Sequence, residues 1–171
     1  FEYANIWARE KTSGPDRLVI APRGHYIDLL QKLAPCLEEP FLLLYVLVVP
    51  RGEGEPGRYQ SELSYSPIQL QKFLVSYREF FEKDARQNLW IRSSGSGLLV
   101  YDRHNLIYAY GPLERFIGIL TSSGLSESTD VLMPFPHVHH YHEAFDVESK
   151  RLITETAWIL SPLRASDENP G

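Results

Sequence analysis

Residues 41–49, FLLLYVLVV, are apolar at every position and lie between Pro40 and Pro50. No other stretch limits the fold as strongly. A membrane-spanning helix needs roughly 20 such residues, and the short length with a proline on each side favours a strand over a buried helix. A strand with no polar face must be covered on both sides. The run is therefore expected near the centre of a sheet, in a chain that supplies further layers.

The neighbouring segments can supply them. Ile27, Leu30, Leu33, Ala34 and Leu37 recur at three and four residues and predict a helix over 24–37, with Pro35 ending or distorting its last turn. Ser66-Pro67-Ile68-Gln69 reads as a capping box with proline at the first helical position, so a helix is expected over 66–85. Its buried stripe would be Leu70, Phe73, Leu74, Tyr77, Phe80 and Phe81. From residue 88 the period becomes two. Leu89-Trp90-Ile91, 98–101 and 106–110 predict a three-stranded meander, turning at SSGSG and at Asp102-Arg103-His104-Asn105. A third helix is expected over 112–123, started by Pro112 and stopped by Gly124. Shorter strands are expected at 1–8, 17–21 and 156–160, with a short helix from 147 capped by Asp146.

The 171 residues suit one domain able to bury its own core. A net charge of −5, with Lys and Arg scattered instead of clustered, lacks the basic footprint of a nucleic-acid binder. Cys36 is the only cysteine, which excludes an internal disulfide and a thiolate zinc knuckle and points to a reducing, cytoplasmic setting. No signal-peptide pattern or membrane span is visible, and a start at Phe1 in place of Met points to a processed or trimmed chain.

Chemistry is concentrated in 134–146, PFPHVHHYHEAFD, which holds four of the six histidines. Read as extended chain, alternation turns His137 and His139 to one side and His140 and His142 to the other. Two imidazoles are half of a metal site, and a catalytic site needs a third protein ligand and an open position. Glu143, Asp146, His104 and His25 are the candidates for that third place, and a divalent ion such as zinc is the candidate metal. The spacing His137-x-His139-x-x-x-Glu143 is similar to the core of the first cupin motif, in which two histidines and a glutamate hold a metal. The resemblance covers seven residues. Val131 and Lys150 stand where that motif has glycines, the second motif has no counterpart, and three expected helices do not fit an all-β barrel.

Two other places carry candidate chemistry. Asp102 and His104 are close enough to form a carboxylate–imidazole pair that could orient a general base, although turn preference alone explains Asp and Asn there. Residues 50–64 lack periodicity and read as a mobile surface loop. Their three glycines are not followed by the Lys-Ser/Thr of a phosphate loop, and Arg51, Arg58 and Tyr59 are their candidate contact residues. The chain also holds ten tyrosines and three tryptophans, residues that serve both interfaces and cores.

Together these readings predict a single α+β domain over 1–161, with a mainly antiparallel sheet of about five or six strands. Three main helices would pack against it, chiefly on one face, and a flexible tail would span 162–171. The expected role is a non-catalytic binding or interaction domain for a protein partner or small ligand, with no nucleic acid or membrane partner. The alternative is a metal-dependent enzyme, hydrolytic or oxygen-using, built on His137, His139, Glu143 and His104.

Overall fold

The structure is a computed structural model that describes residues 3–51, 54–131 and 140–167. One sheet of nine strands organises it: β1 (Ile6–Glu10), β2 (Arg17–Ala21), β3 (Phe41–Leu47), β4 (Gly57–Ser61), β5 (Gln87–Ser93), β6 (Leu98–Tyr101), β7 (Ile107–Tyr110), β8 (Ser126–Glu127) and β9 (Trp158–Ser161). Their spatial order is β8-β1-β2-β7-β6-β5-β3-β4-β9. Every neighbouring pair is antiparallel except β1 and β8. Among the described residues five α-helices accompany it: α1 (Tyr26–Leu33), α2 (Pro67–Ser76), α3 (Arg78–Lys83), α4 (Leu113–Ser122) and α5 (Asp146–Glu155).

The α+β class is as expected, but nine strands and five helices exceed the five or six strands and three main helices read from the pattern. Part of the excess comes from β4, which forms inside the stretch expected to be a loop. Its Tyr59 is buried while Arg58 and Gln60 alternate with it, and pairing with β3 and β9 on its two sides supplies the order its composition does not. The two-residue β8 adds one more strand, the short helix expected beside the three main ones forms as α5, and the other additional helix is owed to Tyr77. That residue leaves helical angles (φ −114°, ψ 13°) and divides the expected 66–85 helix into α2 and α3.

Local signals elsewhere are realised. Ser66 Oγ accepts the Gln69 N–H while the Gln69 side chain accepts the Ser66 N–H, completing the capping box. Pro35 falls in a 3-10 turn after α1. Gly124 adopts φ +81° after α4, a conformation glycine takes without a Cβ penalty.

Strand alternation divides the sheet into two unlike faces. Leu18, Ile20, Leu43, Tyr45, Leu89, Ile91, Leu99 and Ile107 point into the main core, where Leu30, Leu33, Phe73, Leu74, Phe81, Phe116 and Leu120 of the helices meet them. Burying a side chain of this kind contributes about 1.5–3 kcal/mol. The opposite face carries a small cluster of Tyr3, Ala21, Val100, Leu106 and Tyr108, with Val19, Trp90 and Val131 packed at its margin and, among the described residues, no helical residue in it. The apolar run forms a strand, but over Phe41–Leu47 instead of 41–49: Phe41, Leu43, Tyr45 and Leu47 enter the main core, while on the alternate side Val46 is fully covered and Leu42 and Leu44 are half-buried. It lies inside the sheet between β5 and β4, two strands from the edge, and β6 is the middle strand.

Part of the second face is closed by the chain end. Within the tail expected from residue 162, Ala165–Asp167 forms a 3-10 turn and Asp167 is wholly buried. Its carboxylate pairs with Arg58 and accepts the Arg164 N–H, and its carbonyl accepts the Asn88 side chain at 2.8 Å.

Candidate functional site

The turn between β6 and β7 places Asp102 at one end of the face opposite the main core. Asn105 takes the left-handed conformation (φ 64°) that Asn tolerates in turns, and its N–H closes on the Asp102 carbonyl at 3.0 Å. The Asp102 side chain is buried, yet well served. One oxygen accepts the His104 and Leu106 backbone N–H groups at 2.9 Å each. The other lies 3.0 Å from His104 Nδ1 and 3.5 Å from the Tyr108 hydroxyl. The Tyr3 hydroxyl donates to the His104 carbonyl at 2.9 Å. Thus the carboxylate–imidazole pair suggested by spacing forms, and the same carboxylate also does the turn-holding work that composition explains.

This cluster opens onto a cleft of about 420 Å³, a volume within the usual range for small-molecule sites. Val19, Leu106, Tyr108 and Val131 give it an apolar floor, with His104 at one end and Arg17 at the other. Arg17 is 8% exposed, held by Glu10 at 2.6 Å and the Tyr110 hydroxyl at 2.7 Å, with its guanidinium 4.6 Å over the Tyr108 ring. Burial pulls its pKa down, but the bonds to Glu10 and Tyr110 outweigh that and keep it firmly cationic. Burial, then the nearby Asp102 charge, pushes the Tyr3 and Tyr108 hydroxyls well above the usual phenol range, so both remain donors. A smaller hollow of about 180 Å³ lies between the end of α1 and the start of α2, lined by Leu37, Phe41, Leu70 and Leu74.

The described part of the histidine stretch, from His140 on, is anchored at a different carboxylate. Asp84 and Arg86 are both fully buried and form a two-pronged pair at 2.8 and 3.0 Å. Asp84 also accepts the His142 N–H at 2.9 Å, Arg86 donates to the His142 carbonyl at 3.0 Å, and the Ala85 N–H reaches the His140 carbonyl. Arg86 Nη1 sits 2.9 Å from Asp146 as an ion pair without hydrogen-bond geometry. Burial lowers the Arg86 pKa, but Asp84 and then Asp146 overcome that. The His140 and His142 rings stack at 6.0 Å, on one side as alternation requires.

His137 and His139 lie outside the described residues. Glu143 is turned to Arg51 at 3.2 Å, and Arg51 also meets Asp146 at 3.5 Å. His104 belongs to the Asp102 cluster, and His25, mostly exposed, lies 3.4 Å from Asp28. Among the described residues no three His, Cys, Asp or Glu side chains gather closely enough to hold a metal ion. Arg58 is engaged by Asp167, and the buried Tyr59 ring packs by Tyr45 while its hydroxyl bonds the Glu55 carbonyl. Sequence reasoning did not single out Arg17, Asp84 or Arg86, and it met Tyr108 only as one of the many tyrosines that serve interfaces and cores alike. Arg17 opens a short apolar strand and Asp84 and Arg86 follow a helix, so in sequence all three look like ordinary surface charges.

No protein-family model, curated protein or solved structure matches this chain. No helix among the described residues is long and apolar enough to cross a membrane.

Proposed function

We propose that the chain is a small-ligand-binding domain whose site is the cleft on the face of the sheet opposite the main core. The observation that carries this reading is the convergence of a buried, firmly cationic Arg17, the Tyr108 ring and the Asp102–His104 pair on one 420 Å³ cleft. Sites of this kind combine an apolar wall with a few fixed polar groups. The ligand suited to it is small and amphipathic, with an apolar body on Val19, Leu106 and Tyr108 and an acceptor or anionic group toward Arg17. Glu10 and Asp130 on the rim discourage polyanions. The metal-dependent enzyme stands as the second proposal, resting on His137 and His139, and metal analysis of protein purified without a metal resin tests it.

A thermal-shift screen of small metabolites tests the binding reading, run on the chain and on Val19→Trp, which fills the floor of the cleft. Compounds that stabilise the chain should lose that effect in the variant while its unliganded melting temperature stays close to the parent. Hits that act equally on both proteins would refute the assignment.

A further inference from the structure

The two edges of the sheet are built differently. At one edge β8 is two residues long and ends on the charged Glu127. At the other, β9 (WILS) carries no charge and no internal proline, and its register against β4 runs without a bulge. Exposed edges normally carry such protection, because their unpaired backbone groups template further strand pairing.

The register shows which groups face outward. The Glu62 N–H donates to the Ala157 carbonyl at 3.0 Å, and continuing the same pairing sets Gln60 against Ile159 and Arg58 against Ser161. By alternation these are the residues whose amides bond to β4. Trp158 and Leu160 therefore direct both N–H and C=O away from the sheet, and no described residue takes them up. Ile159 is 54% exposed and Leu160 46%, unusual values for apolar strand residues. Glu155 before the strand and Arg164 after it are exposed side chains of opposite sign without an ion pair among the described residues.

We propose that β9 is a self-pairing edge that takes β9 of a second copy of this chain, antiparallel, about a two-fold axis at Ile159. In that register Trp158 of each copy stands opposite Leu160 of the other, and each such pair exchanges a donor and an acceptor. Ile159 faces its own counterpart in the narrow, non-hydrogen-bonded position, where Cα atoms approach to about 4.5 Å. The axis brings Glu155 of each copy toward Arg164 of the other, so the flanking charges attract, as a closed isologous contact requires. A like-charged or proline-bearing edge could not do this. The occupant is a second copy because the strand complements itself in hydrogen bonds, apolar surface and charge alike.

Sedimentation velocity over a wide concentration range tests the pairing on the chain and on Leu160→Pro. Proline removes an outward N–H and leaves the β4 ladder untouched, a position where edge strands tolerate it. The chain should dimerise, and the variant should need at least tenfold more protein to do so. Ile159→Cys should give a disulfide-linked dimer on mild oxidation, since the two-fold brings its Cα atoms within disulfide range. Val147→Cys, at an exposed position of α5, and the parent with its buried Cys36, should not. If Leu160→Pro fails to fold, the cysteine result decides alone. A monomer at every concentration, or a dimer that ignores Leu160→Pro and leaves Ile159→Cys uncrosslinked, would overturn the proposal and leave the edge to a foreign strand or to another segment of a longer chain.

Discussion

Asp84 and Asp102 use the same device with opposite outcomes. Each is a buried carboxylate that collects backbone N–H groups and so fixes a local chain path. Asp84 is then sealed by a permanent cation, Arg86, that has no exposed side-chain surface. Asp102 is instead partnered by an imidazole and a phenol that line a cleft. A sealed carboxylate can only hold the fold, whereas one at a cleft wall can also orient groups toward a ligand. The first pins the end of the histidine stretch to the start of β5, and the second shapes the candidate site.

The largest effect should come from opening the sealed pair. Arg86→Met leaves a buried charge without its cation and should cost about 3–5 kcal/mol in denaturant unfolding, and adding Asp84→Leu should recover part of it. A loss under about 1 kcal/mol would place Arg86 near water and remove the contrast between the two sites. Asp102→Ala should cost about 1–3 kcal/mol, because the His104 and Leu106 amides lose their acceptor. It should also abolish ligand-induced stabilisation, which Arg86 variants that still fold should retain.

Alkaline pH gives a third comparison. Tyr3, Tyr45, Tyr101 and Tyr108 all have raised pKa values, with burial as the leading cause. In the unfolded chain they ionise near the usual value of about 10. Below that pH the stabilisation from the neutral buried phenols is fully present. Above it the unfolded chain releases protons that the folded chain retains, so stability falls, by about 1.4 kcal/mol per pH unit for each such tyrosine, until the folded pKa is reached. Denaturant midpoints taken upward from pH 9 should fall, and Tyr101→Phe, if folded, should flatten the fall. The smallest change is expected from Tyr108→Phe. Its long contact to Asp102 should be worth no more than about 1 kcal/mol in stability, while loss of the hydroxyl donor should weaken ligand binding measurably by calorimetry.

Legibility in the sequence followed the range of the interactions. The Ser66–Gln69 capping box, the meander and the Gly124 stop are local patterns that formed where their residues pointed, and the apolar run formed a strand that stops at Leu47, two residues short of the expected 41–49. β4 was hidden because GRYQS has no strand signature alone and depends on two partners distant in sequence. The Asp102–His104 pair could be read from a spacing of two. Its cleft could not, since β1, β2 and residues 129–131 arrive from elsewhere in the chain. The histidines drew notice by density, yet the described ones are fixed by their backbone atoms to Asp84, Ala85 and Arg86. No composition rule reports that.

The most direct measurement is a two-dimensional amide NMR titration of the isotope-labelled chain with a ligand from the thermal-shift screen. Amides at Val19, His104, Leu106 and Tyr108 should be perturbed, saturating with ligand, while Asp84 and Arg86 stay fixed. Perturbation centred on Asp84, Arg86 and His142, with the cleft silent, would contradict that.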